Sequence, residues 1–130
     1  MIDHVGISVR DFARAKDFYA QALAPLSITL LSEISAAESG THAFAGFGKD
    51  GKPFFWIGTG LEPAGRTHIA FVAQNRTDVA AFYKAALSAG GTDNGSPGLR
   101  PHYHPDYFGA FILDADGNNI EAVCMQRSNS

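Results

Sequence analysis

Apolar and polar positions alternate along a short segment near the start of the chain, and a similar segment returns near its middle. In the first segment, Ile2 to Val9, every second residue from Val5 onward is apolar, and His, Gly and Ser occupy the positions around them. The second segment, Thr67 to Ala73, opens in the same way with His68. A period of two is typical of a β-strand that packs one face against a core. The pattern therefore predicts one half-buried strand at each place.

A helical spacing of apolar residues follows each predicted strand. The apolar face of the first helix consists of Phe12, Ala15, Phe18, Tyr19, Ala22 and Leu23. The apolar face of the second helix consists of Val79, Phe82, Tyr83, Ala86 and Leu87. Asp11 is the predicted N-cap of the first helix, and Asn75 or Thr77 is that of the second. Pro25 and the Gly90-Gly91 pair mark the ends of the two helices.

The two halves of the chain align with each other without a gap. A shift of 64 residues carries His4 onto His68, and the same shift places the Phe18-Tyr19 pair on Phe82-Tyr83. Self-similarity at a fixed offset is the mark of a repeated structural unit. The chain is therefore interpreted as two copies of one unit of about 65 residues.

Three further strands are expected in each half, where apolar runs are bounded by turn residues. In the first half these strands are Ser27 to Ile34, His42 to Phe47 and Pro53 to Thr59. In the second half they are Thr92 to Leu99, Tyr107 to Leu113 and Asn119 to Met125. Tight turns are predicted between the last two strands of each half, at Gly48 to Gly51 and at Asp114 to Gly117.

These elements predict an α+β fold built from two pseudo-symmetric β-α-β-β-β modules. The strands are expected to form a curved half-barrel sheet around a central cleft, with the helices outside. We expect a single domain over residues 1–130, with module one at 1–59, a linker at about 60–65 and module two at 66–126. A chain of 130 residues is long enough to bury one core.

The composition excludes several classes of partner. The formal net charge is -3 and the Lys and Arg residues are scattered, so we expect neither a nucleic acid nor a membrane surface as partner. Cys124 is the only cysteine, which rules out an internal disulfide and fits a reducing compartment. No signal peptide or membrane-spanning run is recognised, so the expected location is cytoplasmic.

Three residues form a candidate metal site. Strand alternation directs His4 and His68 to the face away from the helices, which is the concave side. Glu121 lies within an apolar run in the last strand, where a carboxylate needs a cation or a hydrogen-bond donor. Two imidazoles and one carboxylate around one cleft are suited to a divalent ion and leave coordination positions open for substrate.

The sequence resembles the vicinal-oxygen-chelate superfamily, the group of glyoxalases, bleomycin-resistance proteins and extradiol dioxygenases. The resemblance covers the chain from Ile2 to Met125 and depends on the His4 and His68 strand openings and on the ending Asp-Gly-Asn-Asn-Ile-Glu, which closes at Glu121. It implies paired β-α-β-β-β units and one divalent ion (Fe, Mn, Ni, Co or Zn) held by these two histidines and this glutamate. It also implies a homodimer, since members of the superfamily often dimerise. In some members the two chains exchange modules.

The chain departs from glyoxalase I at one position. That enzyme has a fourth ligand at the end of its first module, where this sequence has the apolar run Phe54 to Ile57. Ordinary glyoxalase I activity is therefore not expected. Two histidines and one glutamate also resemble the ligand set of the extradiol dioxygenases, which are usually longer.

Candidate substrate contacts lie in the segment before the penultimate strand. His104 and Tyr107 are the predicted proton-transfer groups, and Arg100 is available to an anionic group. Trp56 and Phe47 are predicted to form an aromatic wall for a small-molecule substrate.

Three classes of function fit these residues. The first is a metal-dependent lyase, isomerase or dioxygenase that acts on a small substrate with vicinal oxygens. The second is a metal-free protein that binds a small molecule or drug, as bleomycin-resistance proteins do. The third is metal-assisted transfer of a nucleophile to a drug, as in fosfomycin resistance, although the potassium- and phosphonate-binding loop of that group is not recognised.

Overall fold

A computed structural model describes residues 1–63 and 66–126 of the chain. Two residues of the predicted linker, 64–65, and the last four of the predicted domain, 127–130, lie outside this description. The first half contains strands β1 (Val5–Ser8), β2 (Thr29–Ile34), β3 (Phe44–Lys49) and β4 (Lys52–Gly58), with helices α1 (Phe12–Leu23) and α2 (Ala36–Ser39). The second half contains β5 (His68–Val72), α3 (Arg76–Ser88), β6 (Thr92–Leu99), β7 (Phe108–Leu113) and β8 (Asn119–Cys124).

The strands form two open four-stranded sheets with the same topology. Their orders are β1-β4-β3-β2 and β5-β8-β7-β6, and in each sheet the first strand runs parallel to the last while the other pairs are antiparallel. The predicted α+β class and the paired modules are confirmed. The eight strands are divided between two sheets, and β1 and β5 are the edges of those sheets.

Local side-chain chemistry explains where the helices begin. The Asp11 carboxylate accepts a hydrogen bond from the Arg14 backbone N–H at 3.1 Å, and Asn75 caps α3 through the backbone N–H of Asp78 at 2.8 Å. Each bond satisfies one of the donors that a helix start leaves free. The short helix α2 is absent from the sequence prediction, and Ser35 caps it in a capping box.

The first predicted turn is shorter than expected. Strands β3 and β4 continue to Lys49 and Lys52, so that only Asp50 and Gly51 form the loop, both with positive φ (51° and 75°). Such a two-residue loop matches the twist of a β-hairpin. Gly48 therefore belongs to the strand, where a Cβ atom would lie 1.9 Å from the Lys52 carbonyl oxygen.

The core joins the two modules through aromatic rings and helix packing. Helices α1 and α3 contact each other, and the rings of Phe55 and Phe71, from different modules, lie 5.2 Å apart at right angles. Tyr19 on α1 donates a hydrogen bond of 2.5 Å to the buried Asp114 carboxylate, which Asn118 also contacts at 2.9 Å. Because Asp114 begins the turn that leads into β8, this bond ties the first helix to the last strand of the second module. Among the described residues, no helix is long and apolar enough to cross a membrane.

Tyr19→Phe removes this hydroxyl, and we expect the free energy of unfolding to fall by about 1–3 kcal/mol. Burial, reinforced by Asp114, raises the pKa of Tyr19 above its ordinary value. The folded state therefore keeps the proton where the unfolded chain releases it, so this stabilisation is complete below about pH 10 and declines above it. Urea denaturation should give a difference between the two proteins that is smaller at about pH 11 than at about pH 8.

Tyr83→Phe is the matched control, because the Tyr83 hydroxyl bonds the Asp93 carboxylate at 2.9 Å in an exposed position. We expect a smaller loss of stability, since water replaces an exposed partner. Equal losses in the two variants at about pH 8 would contradict the importance of the buried Tyr19–Asp114 bond.

Candidate functional site

Glu121 on β8 is the most unusual buried group of the described chain, a carboxylate with none of its surface exposed. One carboxylate oxygen lies 2.8 Å from Nε2 of His68. The other accepts a hydrogen bond from the Tyr107 hydroxyl. Since an unpartnered buried carboxylate is costly, these two contacts explain how the fold tolerates Glu121.

The sheet topology brings these three side chains together. The parallel pairing of β5 with β8 places Ala70 beside Glu121 and His68 beside Asn119, so the imidazole lies next to the carboxylate. On the other side, β7 pairs with β8 through Phe111 and Glu121, and Tyr107 directly precedes β7. Three stretches of the second module therefore converge on one carboxylate.

Tyr107 is a hydrogen-bond donor in this cluster. Burial, and then the hydrogen bond to Glu121, raise the pKa of its hydroxyl well above the ordinary value. The phenol therefore keeps its proton at neutral pH. This favours a role in holding the Glu121 carboxylate over a role as a base.

His4 does not join this pair within one chain. It lies at the surface, where Nδ1 is 2.7 Å from the Asp3 carboxylate, which also pairs with Lys52 at 2.7 Å. A cleft of about 530 Å³ beside β1 and β5 is lined by both His4 and His68. In residues 1–63 and 66–126, however, no group of three or more His, Cys, Asp or Glu side chains is placed to hold a metal. The structure thus brings together two of the three predicted ligands.

Trp56 occupies the position in the first module that Glu121 occupies in the second. The ladder pairs Gly6 with Trp56 and Ala70 with Glu121, and Gly6 and Ala70 are equivalent by the shift that relates His4 to His68. The position expected for a fourth ligand therefore holds an indole, as the apolar sequence there indicated. Trp56 is half-buried and lines a second cleft, of about 560 Å³, on the first module.

Phe47 does not line a cleft, and this prediction is wrong. Its ring is fully buried in the core, with centroids 6.3 Å from those of Tyr19 and Phe55. Side chains alternate between the two faces of a strand, and Phe47 directly follows Gly46, the cross-strand partner of Trp56. Phe47 therefore points to the face opposite to that of Trp56. The ring of β3 that does line the cleft is Phe44, together with His42 just before the strand. The signal that identifies Phe44 and His42 is the alternation of side chains before Gly46, the cross-strand partner of Trp56, because they lie two and four residues before it.

His104 and Arg100 make local contacts in the segment before β7. Nδ1 of the exposed His104 accepts a hydrogen bond of 3.0 Å from the backbone N–H of Asp106. The Arg100 guanidinium donates to two backbone carbonyls, those of Gly98 and Ser96, at 2.8 Å each. These hydrogen bonds shape the segment that ends at Tyr107. The Glu121 carboxylate has its hydrogen bonds with His68 and Tyr107 instead.

The chain belongs to the Glyoxalase/Bleomycin resistance protein/Dioxygenase superfamily, whose family model matches residues 1–122. This confirms the resemblance inferred from the two strand openings and the ending at Glu121. No curated protein gives a significant match.

Several solved structures share the fold. A glyoxalase/bleomycin resistance protein from Albidiferax ferrireducens is 28% identical, with a TM-score of 0.76 over 95% of this chain and 98% of that chain. Glyoxalase I from Zea mays is 20% identical, with a TM-score of 0.70 over 95% of this chain and 45% of that chain. The fosfomycin resistance protein FosX from Listeria monocytogenes, as a variant complexed with Mn(II), is 17% identical, with a TM-score of 0.67 over 95% of this chain and 88% of that chain. At these identities the last two similarities establish the fold alone.

Tyr107→Phe leaves one oxygen of the buried Glu121 carboxylate without its donor, and we expect the free energy of unfolding to fall by about 1–3 kcal/mol. Tyr103→Phe is the control, because Tyr103 lies in the same segment but is 61% exposed, and its stability should change little. Urea denaturation of the metal-free proteins measures both. If Tyr107→Phe is no less stable than Tyr103→Phe, the Tyr107 hydroxyl does not support Glu121.

Proposed function

We propose that this protein is a divalent-metal-dependent enzyme that acts on a small substrate with vicinal oxygens, as a lyase, isomerase or dioxygenase. We further propose that it works as a homodimer, in which His4 of one copy completes a site with His68 and Glu121 of the other. The observation that carries the proposal is the pairing of a fully buried carboxylate with a half-exposed imidazole at 2.8 Å. The membership of the family supports it.

The donor atoms fit a divalent first-row ion. Imidazole nitrogen and carboxylate oxygen are ligands that Fe, Mn, Ni, Co and Zn accept, and the side chain of His68 is 51% exposed, so its ring is within reach of an ion. Glu121 is held in place by Tyr107, which is the kind of outer contact that orients a metal ligand. Within the described part of one chain, only two of the three ligands that the resemblance implies lie together, so the third must come from elsewhere.

Two free sheet edges support a second copy as the source of that third ligand. β1 and β5 each pair with a strand on one side only, and both carry exposed apolar side chains, Val5 at 37% and Val72 at 75%. Exposed strand edges with apolar side chains favour association with another chain. Pairing the β1 edge of one copy with the β5 edge of another covers these residues, and it brings His4 to the strand that bears His68.

The chain's own residues divide the work of the proposed reaction. A bound divalent ion supplies Lewis-acid polarisation of the substrate oxygens. His4, His68 and Glu121 hold it, and Tyr107 keeps the carboxylate oriented. His104 is the proposed hydrogen-bond donor to the substrate, because its Nδ1 accepts a bond from a backbone N–H and a neutral ring then carries its proton on Nε2.

The metal content of the purified protein tests the proposed ligands. We expect about one Fe, Mn, Ni, Co or Zn per chain by plasma mass spectrometry, as one three-ligand site per chain requires. Glu121→Gln, His68→Ala and His4→Ala should each lose most of it. His42→Ala is the control and should retain it, since His42 is an exposed histidine of the Trp56 cleft outside the ligand set. Equal metal content in His4→Ala and the unchanged protein would remove His4 from the site.

A mixture of two defective variants tests whether the site is shared between copies. When His4→Ala and Glu121→Gln chains are refolded together, a mixed dimer contains one site with all three ligands and one site lacking two of them. With random pairing, about a quarter of the metal content should return, because half the dimers are mixed and half of their sites are intact. If each chain builds its own site, every site lacks a ligand and mixing restores nothing.

One observation favours a second function, a metal-free protein that binds a small molecule. Both oxygens of Glu121 already have partners within the chain, so the site is satisfied without an ion. Failure to take up Fe(II), Mn(II), Ni(II) or Zn(II) on reconstitution would leave this second function as the better account. Ligand binding would then be unaffected by a chelator.

A further inference from the structure

Three side-chain rings lie across three glycines on the wall of the Trp56 cleft. On β3 and β4, the ring of Trp56 lies against Gly46 and the ring of Phe44 against Gly58. Just beyond these strands, the ring of His42 lies in the same way against Gly60. The three rings all line one cleft of about 560 Å³, which also contains His4. We call Trp56, Phe44 and His42 the ring row.

The distances to Gly46 show how the indole is oriented. A Cβ atom built on Gly46 would meet Cη2, Cζ2 and Cζ3 of Trp56 at 2.9 Å each. Three ring atoms at equal distance mean that the six-membered ring lies flat over the glycine and does not stand on its edge. The His42 ring lies similarly over Gly60, with Cδ2, Nε2 and Cγ at 2.7, 2.8 and 2.9 Å from such an atom. Each of these two rings therefore turns one face to the backbone and the other away from it.

Trp56 is partly accessible and lines the cleft. Its neighbour on β1 is Gly6, where an added Cβ would lie 3.7 Å from the backbone oxygen of Trp56 and 3.8 Å from its Cβ. Glycine therefore occupies the position paired with Trp56 on both adjacent strands, and the indole remains partly accessible. A tryptophan that served only to fill the space above a glycine would leave no cleft beside it, whereas this one lines a cavity within the size range of small-molecule sites.

We propose that this cleft binds a ligand with a flat, conjugated ring system, which stacks on the outer face of Trp56. The inference rests on the proposed function, because His4, one of the proposed metal ligands, also lines this cleft. Hydrogen-bonding groups for the polar edge of the ligand come from His4 just before β1, from Ser8 on β1 and from His42 at the far end of the ring row. A flat ring is selected over a puckered one of the same carbon skeleton, since only the flat ring can contact the whole indole face.

The single tryptophan of the chain makes the contact directly observable. The indole N–H gives one signal in a ¹H–¹⁵N correlation spectrum, and a ring stacked on it shifts that signal upfield. We would titrate the full chain with 2-naphthol and with decahydro-2-naphthol, which share a bicyclic skeleton and one hydroxyl but differ in planarity. We expect an upfield shift with 2-naphthol only, and affinity roughly tenfold higher than for the saturated compound.

Calorimetric titration of Trp56→Leu provides the second measurement. This variant should lose the preference for 2-naphthol, whereas Phe12→Leu, which changes a ring on α1 outside the cleft, should keep it. Equal affinity for the two compounds in the unchanged protein, an unshifted indole signal, or an unchanged preference in Trp56→Leu would each overturn the proposal.

The same samples separate this proposal from the proposed function. Metal content, measured on the purified protein and again after reconstitution, decides whether the protein binds a metal. A planar preference in a protein that takes up no metal on reconstitution would support the ring row and contradict the metal-dependent enzyme. A metal-loaded protein that does not distinguish the two compounds would leave the enzyme standing and overturn the inference.

Discussion

The parallel pairing of the first strand of each module with its last strand is the constraint on which the rest of the structure depends. It joins the ends of a module of about 60 residues, and the helix that connects the first strand to the others must then pack over the sheet. It also fixes which residue of the last strand pairs with the first strand, two residues after His4 or His68. In module two that residue is Glu121, and in module one it is Trp56. One topological rule therefore places both the charged and the aromatic part of the site.

The sequence predicted the fold well because its strongest signals are local and repeated. The helix caps Asp11 and Asn75 and the alternation around His68 and Glu121 are properties of a few adjacent residues, and the ungapped repeat supplied a second reading of each. The division into two sheets was not predictable in the same way. It depends on which edges meet, and alternation within a strand carries no information about the neighbour across an edge.

The site was only partly predictable, for a related reason. Burial of Glu121 followed from its apolar surroundings, but its bond to Tyr107 depends on how the segment before β7 folds back over β8. The aromatic character of Phe47 favours a place in the cleft. The glycines on either side of it, Gly46 and Gly48, have no side chains to indicate which face of the strand is buried, so only the strand register shows where Phe47 points. The sequence correctly indicates an aromatic residue on this strand, but the alternation of side chains determines that Phe44, and not Phe47, lines the cleft.

The two modules differ at equivalent positions in a way that divides the candidate site by polarity. Module two holds a buried carboxylate with an imidazole and a phenol, and it requires proton donors or a cation to offset the cost of burial. Module one holds an indole between two glycines, and this indole is partly accessible. In the proposed shared site, a carboxylate in place of Trp56 would add a second negative charge and weaken the proposed preference for an apolar ring. Because His4 and His68 are equivalent histidines of the two modules, the two halves of the candidate site differ at the equivalent pair Trp56 and Glu121.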